Sequence, residues 1–217
     1  MKANSQRVKG KNFKYFNGKP LFKWTLDTLL SVKEIDRIII NTDAREILAN
    51  NGVLETDRII IRDRASEICG DMISMNLIIE DDVKSVDADI YLMTHTTNPL
   101  MKASTVENAL NAFLGNADAD SLFTVNKIQT RFYKEDCTAV NHDPKNLART
   151  QDLVPWFEEN SNLYIFTKRS FTTTNARIGV KPMMFETSKF ESLDIDTQED
   201  WDFSVVAGSY LKKGERN

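Results

Sequence analysis

Histidine and cysteine are scarce in this chain, which has two of each among its 217 residues. His95 and His142 are far apart in sequence, and Cys69 and Cys137 lack the spacing of metal ligands. A histidine-rich metal site is therefore set aside. We expect both thiols to be reduced and structural, as two lone cysteines in a cytoplasmic protein usually are.

Long hydrophobic runs are absent as well. No apolar run approaches the ~20 residues that a membrane helix needs, and the N-terminus has no apolar stretch of the kind found in secretory signals. We therefore expect a cytoplasmic protein with no membrane partner. The apolar fraction is 41%, the charged fraction is 28%, and there are only eight Gly and five Pro, which excludes disordered and fibrous classes.

The overall charge gives no sign of a nucleic-acid partner, because the net charge is −4. Positive charge is instead concentrated in the first 23 residues. A local cationic site on an acidic protein suits a small anion. The length fits one α/β domain, residues 1–217, with a sizeable core.

Short apolar runs alternate with helical patterns, which is typical of βαβ units in a mostly parallel sheet. The predicted strands cover residues 36–41, 58–61, 89–94, 121–125, 162–166 and 182–186. Predicted helices cover residues 20–30 and 197–210, and three more begin near Asp43, Met72 and Ser104. Ser104 and Glu107 are spaced as a capping box. Residues 130–157 are polar and poor in aliphatic side chains, so we expect an excursion over the sheet edge there.

Residues 2–12 form a basic segment that is suited to holding phosphates. It contains four cationic side chains, and backbone N–H groups of a turn can surround an oxyanion while the cations neutralise it. Gly10 removes the Cβ that would keep backbone and ligand apart. The alternative is a solvated basic arm, since basic runs at chain ends are common.

Asp194 and Asp196 form a second candidate site near the other end of the chain. In extended backbone both carboxylates point to one face. Mg²⁺ suits such a pair, because it prefers hard oxygen ligands and usually binds through one or two carboxylates together with substrate phosphates. The alternative is that Asp196 only caps the following helix, since residues 196–199 and 197–200 both have the spacing of capping boxes.

These two motifs resemble those of the acylneuraminate cytidylyltransferase family. Ser5, Arg7, Lys11, Asn12 and the Gly-Lys-Pro-Leu turn at residues 18–21 match its opening motif, and residues 192–200 match its Asp-Ile-Asp-Thr-x-x-Asp motif. Lys2 stands where the family usually has Arg, and Gln6 where it usually has Lys. The resemblance implies a single Rossmann-like nucleotidyltransferase domain. The apolar strand that should precede the basic segment is absent, so the first strand is expected to be truncated, which would expose two ladders and part of the core.

Three further segments extend the resemblance. Residues 61–74 resemble the family's nucleotide-reading loop, which assigns Arg62 and Ser74 to the nucleotide. Arg64 could serve in place of Arg62. The alternative is that these charged residues form only a surface salt-bridge cluster. Residues 94–100 resemble a sugar-binding motif, with His95 at the position of a sugar-contacting Gln. Residues 149–165 resemble segments that assign Arg149 to the sugar carboxylate and Asn160 to the sugar.

The resemblance implies Mg²⁺-dependent transfer of CMP from CTP to the anomeric hydroxyl of a 2-keto-3-deoxy sugar acid, with release of pyrophosphate. Asp194 and Asp196 would bind the metal and act with Lys11 in catalysis, while Lys2, Ser5, Arg7 and Asn12 would hold the nucleotide. No side chain stands out as a general base. The resemblance also implies a homodimer, formed through residues 130–157 or the turn at residues 177–182. It further implies that residues 130–157 contribute to sugar binding or to dimerisation.

Three other functions are compatible with these motifs. A nucleotidyltransferase of the same fold could use another nucleotide or acceptor. A metal-dependent glycosyltransferase also uses Asp-x-Asp, but usually in the middle of its chain. A non-catalytic homologue could act as a binding or assembly partner, and the truncated strand, Gln6 and Met101 would favour it.

Overall fold

The computed structural model of the chain describes residues 1–3, 5 and 7–214. Its strands are β1 (Tyr15–Phe16), β2 (Lys19–Pro20), β3 (Ile38–Thr42), β4 (Ile59–Asp63), β5 (Ile90–Thr94), β6 (Ser121–Ile128), β7 (Trp156–Thr167) and β8 (Pro182–Glu186). Its α-helices are α1 (Leu21–Ser31), α2 (Arg45–Asn50), α3 (Met75–Ser85), α4 (Ala103–Leu114), α5 (Lys168–Thr174) and α6 (Gln198–Gly214). The predicted alternation of strands and helices is confirmed.

The larger sheet has the strand order β5-β7-β6-β8. β6 and β8 are parallel, and β7 is antiparallel to both β5 and β6. β5, β6 and β8 therefore point the same way, as predicted, and β7 is the reversed strand. β3 and β4 form a separate parallel pair.

Helices cover both faces of the larger sheet, and β7 shows why. Leu163 and Ile165 pack against α4, whereas Tyr164 and Phe166 pack against α3 and α5. This strand is apolar on both sides because alternate residues enter different clusters. The result is a three-layer α/β/α arrangement, in which ligands are expected at the carboxyl ends of the parallel strands.

The sheet is interrupted between β3 and β5. Within the described part of the chain, each of these strands has a single strand partner. The backbone groups of Ile38 and Thr42 form hydrogen bonds on the side of β3 that faces β4. The backbone groups of Asn41 therefore point to the opposite edge, which has no strand partner among the described residues. The amino group of Met1 donates to the Asn41 carbonyl at that edge. β5 is partly exposed along its whole length.

Two local predictions need correction. α4 begins at Ala103 with Lys102 as its N-cap, so Ser104 lies inside the helix and forms no capping box. α5 was not predicted, because its sequence is short and rich in Thr. Thr167 caps it by accepting a hydrogen bond from the Ser170 amide.

The polar excursion connects β6 to β7. It holds a 3-10 turn (Thr150–Asp152) and two isolated bridges, and β7 already begins at Trp156, inside the range predicted for the excursion. Throughout the described residues, no helix combines the length and apolar character required to cross a bilayer.

Candidate active site

The basic segment is packed against the core. Val8 is 4% exposed and lies in a cluster with Ile195 and Trp201, close to the second candidate motif. Gly10 has φ +61, and its carbonyl accepts hydrogen bonds from the amides of Phe13 and Lys14. This turn needs a left-handed residue, which Gly supplies without steric cost. The alternative of a solvated arm therefore does not describe residues 7–12.

Lys11 and Arg7 converge on Asp196. The Lys11 side chain is largely buried, and its Nζ lies 3.1 Å from Asp196 Oδ1 and 2.5 Å from the Ile195 carbonyl oxygen. The Arg7 guanidinium lies 2.9 Å from the same Asp196 oxygen. The fold thus joins two motifs that are separated by almost the whole chain.

Asp196 is not the cap of α6. Thr197 Oγ1 accepts from the Asp200 amide at 3.2 Å, and Asp200 Oδ2 accepts from the Thr197 amide at 2.7 Å. This reciprocal pair is the capping box predicted at residues 197–200. Because Thr197 and Asp200 perform the capping, the Asp196 carboxylate is left to face the cations.

Asp194 carries a buried oxygen that has no hydrogen-bond partner in the part of the chain that the structure describes. Burial raises the pKa of its carboxyl, and the charge of Asp196 raises it further, while a hydrogen bond from Thr97 opposes the shift. The segment is fixed by the Ile195 amide, which donates to the Thr97 carbonyl. Residues 193–196 are not in a strand. An unpaired buried oxygen is costly, and such an atom is available to accept a bond from water, an ion or a ligand.

Asn12 connects the basic segment to the loop after β5. Its Nδ2 donates to the Lys2 carbonyl at 2.9 Å, and its Oδ1 accepts from Thr96 Oγ1 at 2.8 Å. The Asn12 side chain therefore links the basic segment to this loop inside the protein. Ser5 lies partly buried in the same segment, and its hydroxyl has no hydrogen bond to any described residue. Gln6 lies outside the described residues.

His95 lies in the same loop, close to the charged groups. Burial lowers its pKa to about 4, and the positive charge of Arg177 lowers it further, as do the Met1 amino group and Lys11, while Asp196 opposes the shift. The imidazole is therefore neutral at physiological pH. A neutral ring can offer one donor and one acceptor to an uncharged sugar hydroxyl.

The structure adds Arg177 and Tyr164, which the sequence analysis did not assign to the site. The Arg177 guanidinium lies 3.8 Å from the centroid of the Tyr164 ring and 3.4 Å from Glu159 Oε1. A cleft of about 300 Å³ opens beside them, lined also by Ser74 and Asn76. No sequence signal marks Arg177, because its position depends on packing over a ring of β7.

The two arginines considered for the nucleotide have different partners. Arg62 forms ion pairs with Asp81, at 2.9 Å, and with Asp82, both on α3. Arg64 instead donates to the Asn41 side chain and to its carbonyl oxygen, each at 2.9 Å. That carbonyl also accepts from the Met1 amino group, so Arg64 is the arginine next to the basic segment.

The remaining predicted site residues make contacts of other kinds. Lys2 pairs with Asp71 at 2.9 Å. Ser74 caps α3 by accepting from the Asn76 amide. Asn160 is buried and donates to Asn126 and Thr187.

Arg149 lies at the N-terminus of the 3-10 turn in the excursion. Its side chain is 73% exposed and makes a two-point contact with Asp152 at 2.7 and 3.1 Å. No contact described here joins Arg149 to the other predicted site residues. No group of three or more His, Cys, Asp or Glu suited to a metal occurs in the described ranges.

Known proteins similar to this chain share its overall architecture. A solved structure of CMP:2-keto-3-deoxy-manno-octonic acid synthetase complexed with CTP matches 98% of this chain and 96% of that chain, with a TM-score of 0.66 and 14% identity. The pseudaminic acid cytidylyltransferase of Campylobacter jejuni is 22% identical over 216 residues, 94% of this chain and 92% of that protein. The CMP-N,N'-diacetyllegionaminic acid synthase of Legionella pneumophila is 26% identical over 215 residues, 92% of this chain and 90% of that protein.

The α/β/α arrangement is a Rossmann-like nucleotidyltransferase fold. Residues 1–213 match the family model described as cytidylyltransferase. The chain belongs to the cytidylyltransferase family, and it is an enzyme of that class.

Proposed function

We propose that this protein transfers CMP from CTP to the anomeric hydroxyl of a 2-keto-3-deoxy sugar acid, in a Mg²⁺-dependent reaction that releases pyrophosphate. The names of the similar proteins refer to pseudaminic acid, to CMP-N,N'-diacetyllegionaminic acid and to CMP:2-keto-3-deoxy-manno-octonic acid. The observation that carries the proposal is the convergence of Lys11 and Arg7 on Asp196, next to the unpaired oxygen of Asp194.

The reaction exchanges a phosphoanhydride bond of CTP for a phosphoester bond to the sugar. The anomeric oxygen of the acceptor bonds to the α-phosphorus of CTP while the bond from that phosphorus to the bridging oxygen breaks. Pyrophosphate leaves with the electron pair of that bond, and the hydroxyl proton passes to water. Lys11 and Arg7 offset the charge of the triphosphate and of the leaving pyrophosphate, which is how phosphoryl-transfer enzymes mainly act.

Asp194 and Asp196 suit Mg²⁺ in chemistry and in number. Both supply hard carboxylate oxygens, and one buried oxygen of Asp194 has no partner among the described residues. Mg²⁺ bound there would supply Lewis-acid stabilisation of the phosphate charge and would lower the pKa of the acceptor hydroxyl. Two carboxylates suffice, because substrate phosphates and water complete its coordination.

The nucleotide-reading arginine is proposed to be Arg64. Arg62 is neutralised by two carboxylates on α3, whereas in the described part of the chain the Arg64 side chain bonds to the neutral Asn41 and to no carboxylate. Arg64 also lies beside the start of the basic segment, through the shared Asn41 carbonyl. A guanidinium with free donors can reach a nucleotide without breaking an ion pair.

The direct test is a turnover assay. Purified protein is incubated with CTP, MgCl₂ and, one at a time, sialic, legionaminic, pseudaminic and 2-keto-3-deoxy-octulosonic acids, and pyrophosphate release is recorded. We expect turnover with CTP and at least one acid, and none with ATP, GTP or UTP. Turnover with another nucleotide would support a different transferase of the same fold, and no turnover with any pair would contradict the proposal.

The metal ligands are tested by Asp194→Asn and Asp196→Asn. Each is expected to lower kcat by roughly 100-fold or more, because metal catalysis supplies several kcal/mol of charge stabilisation. Asp118→Asn is the matched control, since Asp118 is exposed in the connection between α4 and β6. Unchanged Mg²⁺-dependent turnover in Asp194→Asn would refute this metal site.

A further inference from the structure

Arg177 lies at the carboxyl end of β5, where the fold places its ligands. Its guanidinium lies over the ring of Tyr164, and a terminal nitrogen lies 4.0 Å from the sulfur of Met93, the residue paired with Tyr164 across β5 and β7. The stacking fixes the plane of the guanidinium. A cation held in this way is organised in advance for a planar anion.

The contacts of Arg177 leave much of its hydrogen-bonding capacity unused. Its one ion pair within the described ranges is with Glu159, at 3.4 Å, which is long for a charged hydrogen bond. Glu159 Oε1 also accepts from the Tyr164 hydroxyl, so that oxygen is shared. A guanidinium has five N–H donors, and a carboxylate ligand could engage two of them side by side.

Space for such a ligand exists beside the guanidinium. The cleft of about 300 Å³ is lined by Ser74 to Asn76, by Glu159, which pairs with Arg177, and by Ala176 to Ile178. This volume falls at the lower end of the usual range for small-molecule sites. It is large enough for a monosaccharide acid.

The cleft lies close to the cationic site through the loop that follows β5. Arg177 contacts Met93 near the end of β5, and Thr96, three residues further on, donates to Asn12 of the basic segment. His95 lies between them in this loop, and the charges of both Arg177 and Lys11 lower its pKa. In a 2-keto-3-deoxy sugar acid the carboxylate is attached to the anomeric carbon itself. The group that binds it must therefore lie next to the reacting centre, and Arg177 meets this requirement.

We propose that Arg177 is the residue that binds the carboxylate of the acceptor, with the remainder of the sugar in the cleft between Arg177 and Ser74. This inference rests on the proposed function. It departs from the sequence-based assignment of the carboxylate to Arg149. Arg149 is bonded to Asp152 in the exposed excursion, and its contacts include no other predicted site residue.

The test combines a change in the enzyme with a change in the acceptor. Arg177→Gln and the control Arg169→Gln are assayed with whichever of the four acids the wild-type enzyme converts. Arg169 is an exposed arginine on α5 with no ion pair in the described part of the chain. We expect Arg177→Gln to raise the KM for the acid by roughly 10- to 100-fold, as loss of a charged hydrogen bond does, and to leave the KM for CTP within about twofold.

The methyl ester of the same acid provides the second arm. The wild-type enzyme is expected to prefer the acid, and Arg177→Gln is expected to lose most of that preference, because the ester lacks the charge that Arg177 recognises. Arg177→Lys retains the charge without the two-point geometry. Its preference for the acid over the ester should therefore lie between those of the wild type and Arg177→Gln. Arg177→Lys also serves as the informative variant if Arg177→Gln fails to bind CTP in equilibrium dialysis.

The outcomes separate this inference from the function on which it rests. If the wild-type enzyme converts none of the four acids, the proposed function fails. If the wild-type enzyme converts an acid and the Arg177 variants keep both its KM and the preference over the ester, the assignment of the carboxylate to Arg177 is overturned. Loss of that preference in an Arg149→Gln variant alone would transfer the role to Arg149.

Discussion

His95 is neutral because of its surroundings, and this has a consequence for stability. Its folded pKa is about 4, mainly through burial, against 6.5 for an ordinary histidine. At a pH between these two values, the side chain of residue 95 is protonated in the unfolded chain and neutral in the folded chain. The free energy of unfolding therefore falls as the pH is lowered from 6.5 to 4, by up to about 1.4 kcal/mol per pH unit from this residue.

A His95→Gln variant is expected to lose this part of the pH dependence. Denaturant unfolding would measure the free energy of unfolding between pH 4.5 and pH 7. This free energy should depend less steeply on pH in the variant than in the wild type, by up to about 1.4 kcal/mol per pH unit, which corresponds to one bound proton. His142→Gln is the control, since it removes the other histidine and leaves His95 in place. An equal slope in His95→Gln and wild type would show that His95 is not buried in its neutral form.

At the scale of single residues, sequence reasoning located the two charged motifs but not all of their partners. Asp194, Asp196, Arg7 and Lys11 stand in recognisable patterns, so their meeting could be predicted. Arg177 stands in no pattern. Its proximity to the site depends on β7 running antiparallel beside β5, which brings Tyr164 opposite Met93, and only the fold reveals that.

At the scale of elements, the start of α6 sets the orientation of the Asp194–Asp196 segment. Thr197 and Asp200 cap the helix, and Asp200 Oδ2 also accepts from the Asp196 amide at 3.1 Å. Thr197→Ala is expected to lower the free energy of unfolding by about 1 kcal/mol, the usual effect of losing a cap. Urea unfolding would measure this change.

Thr173→Ala is the matched control for the cap. The Thr173 hydroxyl donates to the Arg169 carbonyl within α5, so its loss leaves no helix end uncapped. We expect its effect to stay within about 0.5 kcal/mol. Equal effects of the two substitutions would show that Thr197 contributes no more than an ordinary surface threonine.

Capping also shows where prediction of the elements failed. Three boxes were predicted by the same spacing rule, at residues 104–107, 196–199 and 197–200, and among the described residues the structure contains only the last. α4 begins one residue before Ser104, so its hydroxyl is past the position from which a cap can reach the free amides. The spacing of residues alone does not fix the residue at which a helix begins.

At the scale of the whole molecule, homodimer formation is a prediction of the resemblance. Val154, at 78%, and Val180, at 66%, are among the most exposed apolar side chains, and they lie in the two segments predicted to form the interface. Sedimentation equilibrium should show a dimer, and Val154→Asp or Val180→Asp should shift it towards monomer. Leu54→Asp, at a comparably exposed position between α2 and β4, should have no such effect. A monomeric wild type would contradict the prediction.

The interrupted sheet leads to a prediction about the whole fold. Backbone groups on the free edge of β3 and the partly exposed face of β5 could accept a parallel strand, and the Met1 amino group already bonds to that edge. We expect an engineered extension of five Val and Ile residues before Met1 to raise the free energy of unfolding by roughly 1–3 kcal/mol, after the entropy of ordering it is subtracted.

The same extension tests whether the two sheets join. Amide hydrogen exchange in β3 and β5 should slow in the extended protein, because their free edges become paired. An extension of five Gly and Ser residues is the control, since it cannot bury apolar surface and should leave both the stability and the exchange unchanged. Equal exchange of the β3 and β5 amides in the two extended proteins would show that these edges cannot receive the added strand.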